Sequence, residues 1–135
     1  MASENQLFAV PGLEAGADLS TKQYFFVKKS ATDDQCVIAD TDGEVVLGVL
    51  QNKPNAAGVE AEVMVAGVSK IEAGEALTAG DLIGTDSSGK AKKIEGSITG
   101  ADVGDFVFGI CLVGVASGEV ATVLIGFHSH RVEAQ

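Results

Sequence analysis

The apolar residues of this chain come in short runs of strand length, and glycine-bearing turns separate them. The runs are "QYFFVKK" (23–29), "QCVIAD" (35–40), "VVLGVL" (45–50), "VEAEVMVAGVSKI" (59–71), "KAKKIE" (90–95), "FVFGICLVGV" (106–115) and "VATVLIGF" (120–127). A confident amphipathic helix needs a 3.6-residue apolar period over about 11 residues or more, and no such period persists here. One helical turn around residues 97–104 is the only helical expectation. Seventeen glycines against two prolines fit many tight turns. The pattern predicts an all-β domain, a small β-barrel or β-sandwich.

The turns have their own chemistry. Asp42-Gly43 stands between two apolar runs and predicts a hairpin joining "QCVIAD" to "VVLGVL". In "AGEALTAGDLIGTDSSGKA" (73–91), Gly74 ends one strand, and Ala79-Gly80-Asp81 reverses the chain. Asp86 and Gly89 suit a type I turn with a bulge. "KAKKI" then reads as an exposed edge strand blunted by lysines. Residues 1–22 differ from the rest. Leu7, Phe8, Val10 and Leu13 are scattered, and Pro11-Gly12 breaks any regular element. We read residues 1–22 as an extended arm, 23–127 as the all-β domain and 128–135 as a tail.

Charge narrows the partners. Nine basic against nineteen acidic residues give a net charge of −10. Nucleic-acid binding needs clustered Lys and Arg, so it is not expected. No stretch approaches the ~18 apolar residues of a membrane helix, and the N-terminus lacks the basic and apolar regions of a signal peptide. Cys36 and Cys111 lie far apart in apolar runs and read as buried small hydrophobes in a reducing compartment.

Catalytic patterns are poorly met. A nucleophile needs a nearby base, yet the two histidines, His128 and His130, lie near the C-terminus. There is no G-x-S-x-G. "GTDSSGKA" has the glycine spacing of a phosphate loop, but Ala91 stands where Ser or Thr would bind magnesium. Asp40-x-Asp42-Gly43 places its glycine too early for a calcium loop. His128 and His130 offer only two ligands on one strand face, a metal site only if several tails met at a symmetry axis. No cofactor, metal or catalytic residue is assigned.

Residues 48–94 resemble the small capsid cement (head decoration) proteins of tailed bacteriophages. The resemblance runs through Val63, Val65, Gly67, Ala73, Gly74, Leu77, Thr78, Ala79, Gly80, Asp81, Leu82, Asp86, Gly89, Lys90 and Ala91. "FGICLVGVASGEVATVLI" (108–125) resembles that family's closing hairpin. The resemblance implies a non-enzymatic, β-tulip-like domain that binds the outer surface of an assembled head and reinforces contacts between major capsid protein subunits. It also implies a homotrimer, with an N-terminal arm on the shell, in the virion after a stage in the host cytoplasm. On that view Leu7, Phe8, Val10, Pro11 and Leu13 form the capsid-binding arm. The strand 106–115 is apolar on both faces and is expected to be buried on both. Phe106, Phe108, Ile110 and Leu112 on one of them become the candidate subunit-interface residues. Gly43, Gly74, Gly80, Asp81, Asp86 and Gly89 are assigned to structural turns. Two alternatives stay open. One is a surface carbohydrate-binding or adhesive β-domain, which would want exposed aromatics. The other is a small β-barrel enzyme or ligand domain, which would need a polar constellation.

Overall fold

The computed structural model describes residues 8–95 and 105–131, with side-chain surroundings for 10–95 and 105–126. All regular structure among them is β. The strands are β1 (Phe8–Ala9), β2 (Glu14–Ala15), β3 (Phe26–Lys29), β4 (Gln35–Ile38), β5 (Gly48–Leu50), β6 (Val63–Glu72), β7 (Leu82–Thr85), β8 (Ala91–Ile94), β9 (Phe106–Val113) and β10 (Val120–Arg131). They form one open sheet in the order β2-β4-β3-β5-β6-β10-β9-β7-β8, with β1 pairing β6 off that path. The expected turn around 97–104 lies outside the described residues.

Strand β6 is the pivot. Its first residues pair with β5 and β1, and its stretch Gly67–Glu72 pairs with β10. The open sheet folds over at this strand, so that its two halves face each other. Phe26 of β3 and Phe108 of β9, far apart in strand order, meet edge to face with centroids 5.6 Å apart and planes at 88°. Around them Val49, Met64, Ile71, Ile83, Cys111, Val123 and Ile125 fill the space between the layers. The architecture is sandwich-like, and a bridge between Ala73, just past β6, and Ala91 of β8 ties the ends of the second half-sheet together.

The first half-sheet is apolar on its other face too. Successive residues of a strand point to opposite faces. Phe26, Val49 and Met64 therefore enter the core between the layers, while Val27, Leu50 and Val63 point outward. These outward residues are covered by the chain's own N-terminal segment. Leu13, Ala15 and Leu19 pack on them, with Val10 at the margin. Backbone bonds thread the segment between β4 and the 54–61 loop: Glu14 N–H to Asp34 O, Gly16 N–H to Cys36 O, Ala15 N–H to Val59 O and Ala61 N–H to Leu13 O. The expectation of an arm extending through residue 22 is thus corrected for its second half. A two-faced layer needs two covers, and residues 13–19 supply the second.

The Asp42-Gly43 turn also departs from expectation. Strands β4 and β5 do not pair with each other; they flank β3 on opposite sides. The turn instead bridges the two layers. Gly43 N–H donates to Thr85 O, and Phe106 N–H donates to Gly43 O. Gly43 has φ +75°, and a Cβ there would overlap the Asp105 carboxylate. Lys92 Nζ completes the clasp, at 2.5 Å from Asp105 Oδ2 and 2.6 Å from Asp42 Oδ2. Burial works against the Lys92 charge, but the two carboxylates outweigh it and hold its pKa above the ordinary lysine value. Lys92 is therefore not the solvated edge lysine that the sequence implied. The β8 edge is closed another way: Lys93 N–H donates to the Glu75 carboxylate, and Ala91 O accepts the Gly74 N–H.

Asp105→Ala removes the buried partner of a lysine whose side chain is only 11% exposed. The half-exposed Asp42 remains, so the expected loss is about 2–3 kcal/mol, below the ~3–5 kcal/mol of a fully orphaned pair. Urea unfolding should show this as a lower midpoint at unchanged slope. An unchanged midpoint would refute the clasp.

Candidate interaction surface

Among the described residues, no three His, Cys, Asp or Glu side chains gather as a metal site. An open depression of about 680 Å³ lies over β3, β4 and the chain leading into β5, lined by Lys28, Lys29, Val37, Asp40, Glu44 and Val45 among others. Its charged groups are already engaged: Lys29 Nζ donates to the carbonyls of Ser30 and Thr32, and the others bind one another. Lys28 Nζ lies 2.6 Å from Asp40 Oδ1 and 3.3 Å from Glu44 Oε1. Glu44 Oε2 accepts the N–H groups of Asp40 and Thr41. The hydrogen bond from Lys28 holds the Asp40 carboxyl below its usual range, and the bond to Asp40 raises Lys28. Such a network shapes a loop and leaves no free base for chemistry. Burial raises both thiols, Cys36 and Cys111, away from the reactive thiolate.

The candidate site residues scatter. Leu13 is 4% exposed within the chain's own core, whereas Pro11 is exposed. Leu7 lies outside the described residues, and the side-chain surroundings of Phe8, His128 and His130 lie outside them too. On β9, Phe108 is 3% exposed and belongs to the core between the layers. Phe106 and Ile110 are half-buried, and Leu112 is exposed. The four do not share one face, because the register against β10 breaks twice: it jumps from Val113 to Cys111, skipping Leu112, and again from Gly109 to Val107, skipping Phe108. Val113, expected to be buried on both sides of its strand, is likewise exposed. The turn residues bind locally. Asp86 Oδ1 accepts the N–H groups of Ser88 and Lys90, and Asp81 Oδ2 accepts that of Thr78. Gly80 and Gly89 have positive φ, and a Cβ on Gly74 would run into Asp86.

Apart from exposed Val45 and Val59, the accessible apolar surface among the described residues lies on the second half-sheet. The register places Leu124 opposite both Val68 and Ile110, and Leu82 opposite both Ile110 and Ile94. These five side chains form one row across β6, β10, β9, β7 and β8, on the face turned away from the core between the layers; four are half-buried, and Ile94 at the β8 end is buried against Val107 and Leu82. This row was not legible in the sequence, because each strand contributes a single residue to it. At the end of the same half-sheet, Leu112, Val113 and Val120 are exposed.

A family model described as phage cement protein matches residues 14–127. The chain belongs to the phage cement protein family. Its task is capsid decoration, its place is the virion capsid, and the family is one of structural phage proteins. The match begins at Glu14, within the segment that covers the second core. A crystal structure of the head fiber gp8.5 N base of bacteriophage phi29 shares the fold, with a TM-score of 0.62 at 17% identity over 88% of this chain and 94% of that one. A search of curated protein sequences finds no match.

The Asp40–Lys28 pair gives a pH prediction. A carboxyl whose folded pKa is lowered contributes stability above its ordinary value of 3.8, and that stability is lost as pH falls through the folded value. Asp40→Asn should therefore flatten the decline of the unfolding midpoint below about pH 4. A decline parallel to that of the wild type would refute the pairing.

Proposed function

We propose that this cement protein is non-catalytic, binds the outer surface of the assembled head, and ties neighbouring major capsid protein subunits together as a homotrimer. The family match over residues 14–127 carries the reading. The committed charges of the open depression support it. The apolar row through Leu124, Ile110 and Leu82 supports self-association, since a half-buried stripe that crosses four strands, from Val68 to Leu82, is suited to a partner's surface. Ile110 thus keeps the subunit-interface role, whereas Phe108 serves the interior. Two buried free cysteines suit a protein that is made in the host cytoplasm before assembly.

The arm role contracts to the residues ahead of the second core. Leu7 and Phe8, with exposed Pro11, are the shell-reaching candidates, and Leu13 serves the domain itself. Leu13→Ala should lower domain stability by about 2–5 kcal/mol, the usual cost of emptying a buried leucine site. Deleting residues 1–7 should leave urea unfolding unchanged and weaken attachment to expanded shells that lack this protein. Full occupancy by the truncated form would refute the arm role. Native mass spectrometry should show three chains, and a monomer would refute the trimer.

A further inference from the structure

One end of the second half-sheet joins exposed apolar side chains to a lysine–aromatic cluster. The register sets Val120 opposite Glu72, and Thr122 opposite both Lys70 and Val113. Ala121 and Ile71, between them, point into the core. Val113 and Val120 therefore share the outer face with Lys70, and they are 57% and 46% exposed. Lys70 Nζ stands 5.7 Å from the centre of the Tyr24 ring. The next residue, Phe25, carries two ammonium groups over its ring, Lys22 at 4.9 Å and Lys90 at 5.9 Å.

Two details mark this cluster as built. Tyr24 has φ +68°, a strained conformation for a bulky residue. It is held there by its N–H bond to Leu50 O and by the Glu72 N–H bond to its own carbonyl. Lys90 pairs with Glu72 at 3.2 Å, but Lys22 and Lys70 pair with no carboxylate among the described residues. What sets these lysines apart is their seat: three ammonium groups, of Lys22, Lys70 and Lys90, gather on two adjacent aromatic rings. The electron-rich ring faces hold the ammonium groups in place without neutralising them.

We infer that this end of the domain docks on a carboxylate-bearing patch of the capsid shell. Val113 and Val120 would bury apolar surface there, while Lys22 and Lys70 receive the carboxylates. This rests on the cement reading and adds which face meets the shell and what chemistry it meets. Charge complementarity selects the occupant. A chain of net charge −10 is repelled by an acidic surface over most of its own, so a locally cationic face fixes the docking orientation as well as the contact.

The test measures binding to expanded shells that lack this protein, across a series of salt concentrations. Wild-type affinity should fall as salt rises. Lys22→Gln with Lys70→Gln should bind about five- to tenfold more weakly at low salt, with a shallower salt dependence. Val113→Ser with Val120→Ser should weaken binding and leave the salt dependence unchanged. Unfolding curves confirm that both variants fold. If both bind like wild type, this inference fails while the cement reading stands. If the lysine variant changes oligomeric state and not shell affinity, the occupant is a second copy, and the inference also fails. If wild type itself does not bind, the cement reading fails and takes this inference with it.

Discussion

The structure depends on a half-sheet that is apolar on both faces. Phe26 and Val27, Val49 and Leu50, Val63 and Met64 are neighbours in sequence and face opposite ways, and each is buried. One sheet cannot hide such residues alone. The second half of the open sheet covers one face, by way of the long pivot β6. Residues 13–19 cover the other, and their backbone bonds to Asp34, Cys36, Val59 and Ala61 make them part of the domain. The Asp42-Gly43 turn follows from the same demand. It leaves its neighbouring strand to reach across the layers, and Lys92 fixes it against Asp105.

Charge follows a similar economy. Lys28, Lys90 and Lys92 are each engaged by carboxylates that belong to loops or strand ends. Exposed pairs of this kind add little stability, but they set the course of the loops. The mostly buried pair at Lys92 differs. Its strength lies in what the loss of Asp105 would leave behind, a mostly buried lysine with its best-buried carboxylate gone.

Much of this was legible in the sequence, and the misses have physical causes. Strand-length apolar runs gave the all-β class, and "DSSGK" gave its turn, because both depend on local pattern. Alternation in "VEAEVMVAG" placed Ala61, Val63 and Val65 together, as they are in the second core. Leu13 was misassigned because a scattered apolar residue beside Pro-Gly carries no period, and its partners Val27 and Leu50 are remote in sequence. The β4–β5 hairpin failed because a turn signal does not say which strand it serves. Phe106, Phe108, Ile110 and Leu112 failed as one face because the pairing with β10 is irregular at both Leu112 and Phe108, and sequence does not mark such breaks. The Lys92 clasp and the Tyr24–Lys70 contact join residues remote in sequence, with Lys92 and Asp42 lying 50 positions apart, and no local rule reaches them.

A cement protein binds by surface, so its rigidity contributes directly to affinity. Loops and side chains that are ordered before contact cost less to immobilise on contact. Here the second cover, the capped β8 edge and the Lys92 clasp all order the chain in advance. Closing the edge has a second effect. An open strand edge would invite pairing with any chain nearby, and at the crowding of a capsid surface such pairing would compete with the intended contact. With that edge capped, association is left to side chains on the sheet face. There the apolar row and the lysine–aromatic end offer two different chemistries, and so can serve two different partners.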